Sequence, residues 1–242
     1  MKTPSVLIIG ASSAIAIAAA AELAKSGNSV VAISRSTLAD ELKQFTTDIR
    51  WIQSHYNEHT IAEICSSLAA EYDFTSVIIC NGVLHGDDFF PEKKIEELDL
   101  ASIGKVMNAN TLTAMTWLKH LIPVLEKQKV HCYITILSAR IGSISDNQLG
   151  GWYSYRMSKA ALNMGIKCLA IECCRRAKNL KFILFHPGTT DSPLSKPFQR
   201  NVKKDKLFTP AFVATQLLAA KDAVEFDGQA SYLDWAHKPI DW

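Results

Sequence analysis

The sequence lacks a strong excess of charge of either sign, because 26 Lys and Arg residues are balanced by 24 Asp and Glu among 242 residues. A net charge of +2 gives no electrostatic reason to expect nucleic acid or an anionic membrane as the main partner. The sequence also lacks the uninterrupted run of about 20 apolar residues that a membrane-spanning helix needs. The apolar residues 14–21 near the N-terminus are separated from the preceding apolar run by residues 10–13. We therefore expect a cytoplasmic protein.

The six cysteines and seven histidines show no pattern of a disulfide framework or a zinc site. No C-x-x-C pair occurs, and most of the cysteines lie in apolar stretches, which is typical of buried, reduced thiols. His55 and His59 have the i, i+4 spacing of a metal-binding pair, but no third ligand is evident in the sequence. We expect no metal cofactor.

Short apolar runs alternate with longer stretches of helical periodicity. Strands are predicted at residues 5–9, 29–33, 49–53, 76–80, 132–137, 181–185 and 230–233. Helices are predicted at residues 13–26, 37–45, 59–72, 100–129, 153–178 and 210–223. Unbroken apolar strands that alternate with helices are typical of a parallel sheet buried on both faces. The sequence therefore predicts a single α/β domain over residues 1–242, with a doubly wound parallel sheet of about seven strands and helices on both faces.

The first predicted strand runs into a turn from Gly10 to Ser13 and then into a helix. Such a turn aims free backbone N–H groups at an anion, and the helix dipole adds to the attraction, although a plain connector is an equally good interpretation. The second predicted strand ends in Ser34, Arg35 and Ser36, with no acidic residue. An arginine there suits a ribose 2′-phosphate, whereas an acid would bind a free 2′-hydroxyl. The alternative is an exposed loop arginine.

A second group of residues is suited to acid–base chemistry. Tyr155 and Lys159 begin a predicted helix at i, i+4 spacing, which places both on one face. A phenol titrates at about 10, and a neighbouring ammonium lowers that pKa toward neutrality. Ser138 directly follows the predicted strand 132–137, at an edge of the sheet where chemistry is expected. Asn110 lies in the predicted helix 100–129, where it is either functional or a hydrogen-bonded core amide.

In this order, these motifs resemble those of the short-chain dehydrogenase/reductase family over essentially the whole chain. The matching motifs are the glycine-rich turn at Gly10, Asn81-Gly82, the pair Tyr155-x-x-x-Lys159, and His186-Pro187-Gly188. The stretch from Ser138 to Asn163, together with Asn81 to His85, is similar to the C-factor subgroup, which is related to carbonyl reductases. The resemblance implies a Rossmann fold. It also implies an NADP(H)-dependent oxidoreductase that transfers hydride between the cofactor and a carbonyl or alcohol substrate.

The resemblance implies a role for each matching residue. Tyr155 would protonate the carbonyl oxygen, and Lys159 would lower the pKa of Tyr155 and hold the nicotinamide ribose. Ser138 would polarise the carbonyl, and Asn110 would position a water and the lysine. The implied cofactor-binding residues are Gly10, Ser12, Ser13, Ile15, Ser34, Arg35, Ser36, His55, Tyr56, Asn81, Gly82, Tyr155, Lys159, Pro187, Gly188 and Thr190. Among them, Arg35 favours NADP(H) over NAD(H).

Several positions depart from the family pattern. Ala14 and Ala16 replace the second and third glycines of the turn, so their methyl groups crowd the pyrophosphate and the helix–strand contact. The usual serine position is Ala139, which leaves Ser138 as the candidate and Ser143 as the alternative. His55, which is not acidic, stands where the family usually has the acidic residue after the third strand.

The segment 189–208 is the predicted substrate loop. Its basic residues either attract an acidic substrate or are simply solvated. Side chains that could form apolar walls for a hydrophobic carbonyl compound are Trp117, Trp152, Phe198, Phe208, Trp235 and Trp242, although core packing is the default for most of them.

We expect a homodimer or homotetramer. The predicted helix 100–129 carries more apolar side chains than one sheet face needs, namely Met107, Met115, Trp117, Leu118 and Leu121. The resemblance implies that this helix and the Tyr155 helix form a two-fold interface. The alternative function is a nucleotide-binding signalling or regulatory factor with incidental turnover or none. The altered glycine turn favours that alternative, and the intact Tyr155–Lys159 pair disfavours it.

Overall fold

Seven parallel strands form the central sheet of the computed structural model, which describes residues 2–242. The strands of the chain are β1 (Thr3–Ile9), β2 (Val30–Ser34), β3 (Ile49–Gln53), β4 (Tyr72–Ile79), β5 (Cys132–Leu137), β6 (Leu180–His186), β7 (Thr189–Thr190), β8 (Leu207–Phe208) and β9 (Ala230–Asp234). The sheet order is β3-β2-β1-β4-β5-β6-β9, and β7 pairs with β8 outside it. The α-helices are α1 (Ala14–Lys25), α2 (Glu58–Glu71), α3 (Leu100–Met107), α4 (Thr113–Leu125), α5 (Tyr153–Arg176) and α6 (Pro210–Ala219). The predicted doubly wound fold is confirmed.

The strand β1 shows why these strands are apolar throughout. Leu7 and Ile9 pack into a core shared with α2, α4 and α5, whereas Val6 and Ile8 pack into a second core shared with α1 and α6. Because successive side chains of a strand point to opposite faces, a sheet covered on both faces needs apolar residues at every position. Polar side chains that act on a ligand are therefore concentrated at the strand ends and in the segments that follow them.

Three elements show the largest differences from their predicted form. The predicted helix 100–129 is interrupted by a π-helical turn at Asn108–Leu112, between α3 and α4. The predicted helix 37–45 is a 3₁₀-helix at Asp40–Phe45. The strand β4 begins at Tyr72 rather than at residue 76. Polar residues in its first half interrupt the apolar run from which the strand was predicted.

Burial of the cysteines follows the prediction for four of the six. Cys65, Cys80, Cys132 and Cys173 are buried, whereas Cys168 and Cys174 are exposed on α5, and all six are free thiols. Within residues 2–242, no helix combines the length and the apolar character that crossing a bilayer requires.

The helical residues expected to face a second subunit lie mainly in the core. Trp117, Leu118 and Leu121 are at most 1% exposed, because they pack against the sheet. These three side chains therefore belong to the core of the chain, and the two-fold interface stays a prediction. Apolar side chains that do reach the surface occur on α5 at Met157, Met164 and Ile171, and the seven-residue spacing places them on one face of the helix.

Candidate active site

A cavity of about 660 Å³ lies at the carboxyl ends of β1, β4, β5 and β6. Its volume is in the range of small-molecule sites, roughly 300–1,000 Å³. The predicted site residues that line it are Ser12, Ser13, Ile15, Asn81, Gly82, Ser138, Tyr155, Lys159, Pro187, Gly188 and Thr190. The predicted residues outside the lining are Gly10, Ser34, Arg35, Ser36, His55, Tyr56 and Asn110. One cavity therefore brings together most of the predicted catalytic and nicotinamide-side residues.

Lys159 is a cation buried in the wall of this cavity, with 2% of its surface exposed. Its Nζ donates a hydrogen bond to the Leu137 carbonyl at 2.9 Å and lies 6.0 Å from the centre of the Tyr155 ring. Burial lowers the pKa of Lys159 to about 8. Burial also raises the pKa of Tyr155, which is opposite to the predicted direction. The desolvation of the phenol outweighs any effect of an ammonium held at that distance.

Asn110 lies behind the cavity, in the π-helical turn between α3 and α4. Its Oδ1 accepts from the Val83 amide at 2.6 Å, and its Nδ2 donates to the Val83 carbonyl and to Ser158 Oγ, both at 2.9 Å. These bonds hold the segment that follows β4 against α5. A single π-turn within a helix often marks a functional position, and here it directs the Asn110 amide toward the cavity wall.

The two candidate serines differ in position. Ser138 lines the cavity and is 3% exposed, and its hydroxyl donates to Asn163 Oδ1 at 2.6 Å. Ser143 is not part of the lining, and its hydroxyl accepts from the Asp146 amide at 3.1 Å. The position therefore favours Ser138 over Ser143, but the Ser138 hydroxyl must rotate away from Asn163 to reach a ligand.

The turn after β1 is hydrogen-bonded to the side chain of a tyrosine. Tyr56 Oη accepts from the Gly10 amide at 3.0 Å and donates to the Ile33 carbonyl at 2.9 Å. Gly10 has a φ of 76°, and a side chain there would meet the Cys80–Asn81 backbone at 3.0 Å. The turn therefore needs glycine at this position. The Tyr56 hydroxyl links this turn to Ile33 of β2.

The loop after β2 is exposed at Arg35 and Ser36. Two side chains of β3 fix its backbone: Gln53 Nε2 donates to the Arg35 carbonyl at 3.0 Å, and Trp51 Nε1 donates to the Ser36 carbonyl at 3.1 Å. The exposed Arg35 side chain is therefore carried by a backbone that is held in place. His55, also exposed, lies two residues after the end of β3.

Aromatic side chains surround the outer part of the cavity. His85, Trp152 and Phe198 belong to its lining, and Phe90 packs on His85 and Phe198 with ring centres 5.5 and 6.3 Å apart. Trp152 and Phe198 rings are 5.0 Å apart. Of the predicted apolar walls, Trp152 and Phe198 are therefore at the cavity. The others are not: Trp117 is in the core, Trp235 packs on Phe208, and Trp242 packs on Tyr232.

A family model for the short chain dehydrogenases matches residues 4–203 of the chain. The chain belongs to this family. It is 29% identical to C-signal of Myxococcus xanthus over 101 residues, which is 42% of this chain and 59% of that protein. It is 25% identical to benzil reductase ((S)-benzoin forming) of Bacillus cereus, over 91% of this chain and 95% of that protein. The fold is similar to that of an NADPH-bound carbonyl reductase from chicken fatty liver, with a TM-score of 0.82 over 100% of both chains at 20% identity.

The cavity of this short chain dehydrogenase fits the nicotinamide cofactor of its family. Among the described residues, three buried polar atoms of the lining have no hydrogen-bond partner: Asn81 Oδ1, His186 Nδ1 and Thr190 Oγ1. Buried polar atoms are nearly always paired, so these atoms indicate a ligand with matching donors and acceptors. The hydroxyl and carboxamide groups of a nicotinamide nucleoside are of that kind. Ala14 lines the same cavity, whereas Ala16 is fully buried in the core.

We predict that Tyr56→Phe weakens binding of the nicotinamide cofactor by about 2- to 10-fold, because a typical net hydrogen bond contributes ~0.5–1.5 kcal/mol. The substitution leaves the ring in place and removes the hydroxyl that bridges Gly10 and Ile33, while the direct bonds from the Gly10 and Ala11 amides to the Ile33 carbonyl, both at 3.0 Å, remain. A fluorescence titration of NADPH measures the effect. Tyr72→Phe is the matched control, because the Tyr72 hydroxyl accepts only a long bond of 3.4 Å from Arg50. Equal affinities for both variants would contradict the assigned role.

We predict that Lys159→Met stabilises the protein at pH 7, by up to roughly 3 kcal/mol. The pKa of Lys159 is lowered from 10.5 to about 8, so below pH 8 the native state carries a buried charge that the unfolded state solvates. The wild type therefore gains stability between pH 8 and 10.5 and the variant does not, so their difference shrinks over that range. Denaturant unfolding of both proteins from pH 6.5 to 10.5 measures this. Lys178→Met, at an exposed lysine, should show a difference that is independent of pH, and a pH-independent difference for Lys159→Met would refute the prediction.

Proposed function

We propose that this chain is an NADP(H)-dependent oxidoreductase that acts on a carbonyl or alcohol substrate. The observation that carries the proposal is the convergence of Tyr155, Lys159 and three unpaired buried polar atoms on one cavity. A site without turnover has no need of a phenol and an ammonium in the same wall. The NADPH-bound state of the chicken carbonyl reductase, which has the same fold, supports the choice of cofactor.

The mechanism that we propose assigns a role to each residue of the chain. When bound, NADPH supplies the hydride. Tyr155 Oη donates its proton to the carbonyl oxygen, which neutralises the negative charge that develops there. The Lys159 ammonium would hold the ribose hydroxyls of the bound cofactor, and its charge would favour the ionised phenol once the proton has left. Ser138 turns from Asn163 and donates to the same carbonyl oxygen, and Asn110 keeps the segment after β4 in place.

We propose that the substrate is an uncharged, hydrophobic carbonyl compound. Aromatic rings form the outer cavity, and the residues that the loop 189–208 contributes to the lining are Thr189, Thr190, Ser192, Pro193, Leu194, Ser195, Phe198 and Val202. None of these side chains is charged, so the basic residues of the loop lie outside the lining and give an acidic substrate no partner there. The relative from Bacillus cereus, whose name specifies benzil as its substrate, supports an aromatic carbonyl compound.

The decisive variant is Tyr155→Phe. We expect it to bind NADPH within about 3-fold of the wild type and to lose at least ~100-fold in turnover, because a positioned general acid contributes roughly 10²–10⁴ in rate. NADPH oxidation with benzil as the test substrate measures the turnover. Tyr153→Phe, two residues earlier on the same helix, is the matched control and should remain active. A Tyr155→Phe variant with wild-type turnover would exclude the mechanism.

Arg35 is proposed to bind the 2′-phosphate of NADPH. We expect Arg35→Ala to weaken NADPH binding by at least about 10-fold, because a hydrogen bond to a charged group contributes ~1.5–3 kcal/mol, and to leave NADH binding unchanged. Parallel titrations of the two nucleotides measure this. Arg200→Ala, at another exposed arginine, serves as the control. If the affinities for NADPH and NADH fall together, Arg35 does not recognise the 2′-phosphate.

The second candidate function is a nucleotide-binding signalling factor. It is favoured by the similarity of part of the chain to C-signal of Myxococcus xanthus and by Ala14 at the edge of the cavity. The assay of Tyr155→Phe separates the two functions, since a signalling factor that binds NADPH has no turnover for the substitution to remove.

We also propose a cytoplasmic homodimer or homotetramer, with Met157, Met164 and Ile171 of α5 at the interface.

A further inference from the structure

The helix α5, which carries Tyr155 and Lys159, begins without a cap of its own. Its N-cap residue is Trp152, whose side chain cannot accept a hydrogen bond from the first turn. The three residues before the helix all have left-handed backbone conformations, with φ values of 64° at Gly150, 64° at Gly151 and 52° at Trp152. A left-handed tryptophan is unfavourable and persists only where its surroundings hold it. The start of the catalytic helix is therefore a place where the chain needs an external support.

Glu92 supplies that support from 62 residues earlier in the chain. Its carboxylate accepts the Ser154 amide at 3.1 Å and also accepts the Ser154 hydroxyl. Its backbone carbonyl accepts the Trp152 amide at 2.5 Å. A side-chain acceptor for the first N–H groups of a helix is normally provided by the N-cap residue itself. Here, one residue from another segment satisfies the amides on both sides of Tyr153.

Glu92 as a whole residue is 4% exposed, and the partners of its carboxylate are an amide and a hydroxyl rather than a Lys or Arg. A buried carboxylate without a countercharge is costly, and the positive end of the helix dipole offsets part of that cost. An apolar residue would fill this position with less penalty, so burial alone does not account for a carboxylate there. The hydrogen bonds from the first turn of α5 to Glu92 account for the carboxylate at this position.

The two bonded segments are the ones that build the cavity. Ser154 directly precedes Tyr155, so the first turn that Glu92 holds is the turn that carries the proposed acid. Residues 80–99, to which Glu92 belongs, also contain Asn81 and Gly82 of the cavity lining. The bond from Glu92 therefore joins the cofactor side of the cavity to the catalytic helix.

We propose that Glu92 is a positioning residue for Tyr155: it caps α5 from outside and fixes the direction of the tyrosine hydroxyl. This role rests on the proposed oxidoreductase function. Glu92 does not line the cavity, so its removal changes turnover rather than cofactor affinity. A shift of about 1 Å at a reacting group can reduce the rate by ~100-fold.

The test compares Glu92→Ala, Glu92→Gln and the control Glu96→Ala, which alters an exposed glutamate of the same segment. For Glu92→Ala we expect a fall in kcat of about 10- to 100-fold with benzil, with KM and the NADPH affinity within about 3-fold of the wild type. Glu92→Gln keeps an oxygen that accepts the Ser154 amide and should recover most of kcat. Equal losses in Glu92→Ala and Glu92→Gln, or unchanged kcat in both, would overturn the proposal.

Hydrogen exchange gives a second readout that does not depend on turnover. Amides of residues 152–158 should exchange at least about 10-fold faster in Glu92→Ala, while the amides of β4 and β5 keep their protection. If the wild type shows no turnover and exchange in Glu92→Ala still increases only at residues 152–158, the capping role of Glu92 is supported and the oxidoreductase function is excluded. If the wild type is active but exchange at these residues is unchanged in Glu92→Ala, the oxidoreductase function is supported and the capping role is excluded. If Glu92→Ala does not fold, Glu92→Gln and Ser154→Ala carry the same comparison.

Discussion

Burial of the sheet on both faces is the constraint on which the rest of the structure depends. The strands β1, β4, β5 and β6 have almost no room for polar side chains between their two cores, so a ligand can be bound only where these strands end. Two of the buried polar side chains at the cavity are tied to backbone atoms, Lys159 to the Leu137 carbonyl and Asn110 to the Val83 amide and carbonyl. The same burial lowers the pKa of Lys159 and raises that of Tyr155, so the framework determines the chemistry available to the site.

Much of the fold could be predicted from the sequence, because a strand buried on both faces is apolar at consecutive positions. The strands Ile49–Gln53 and Cys132–Leu137 have the predicted bounds for this reason. The start of β4 was not predictable in the same way, since its early residues lie at an end of the sheet where polar side chains are tolerated. The π-turn at Asn108–Leu112 also leaves no mark in the sequence, because one extra residue in a helical turn does not change the apolar period visibly.

Site residues could be predicted where the residue types and their spacing indicate one chemical role. They could not be predicted where the role depends on contacts between distant segments. Tyr155 and Lys159 follow from their spacing, and the cavity contains both. Tyr56 could be listed as a cofactor residue only by position, whereas its hydroxyl in fact supports the Gly10 turn. Glu92 lies in a charged stretch that gives no hint of burial. The one available signal was the absence of a capping residue before α5, which indicates an external acceptor without identifying it.

The short strands β7 and β8 tie together the two ends of the loop that covers the cavity. Everything between them is outside the central sheet, and its length is not dictated by any strand register of that sheet. Doubling the length of a flexible loop adds only about 0.6 kcal/mol to its closure cost. The loop that we propose to contact the substrate can therefore change without changing the central sheet. Its sequence can diverge, or be redesigned for a different carbonyl compound, while Tyr155 and Lys159 stay where the sheet and α5 hold them.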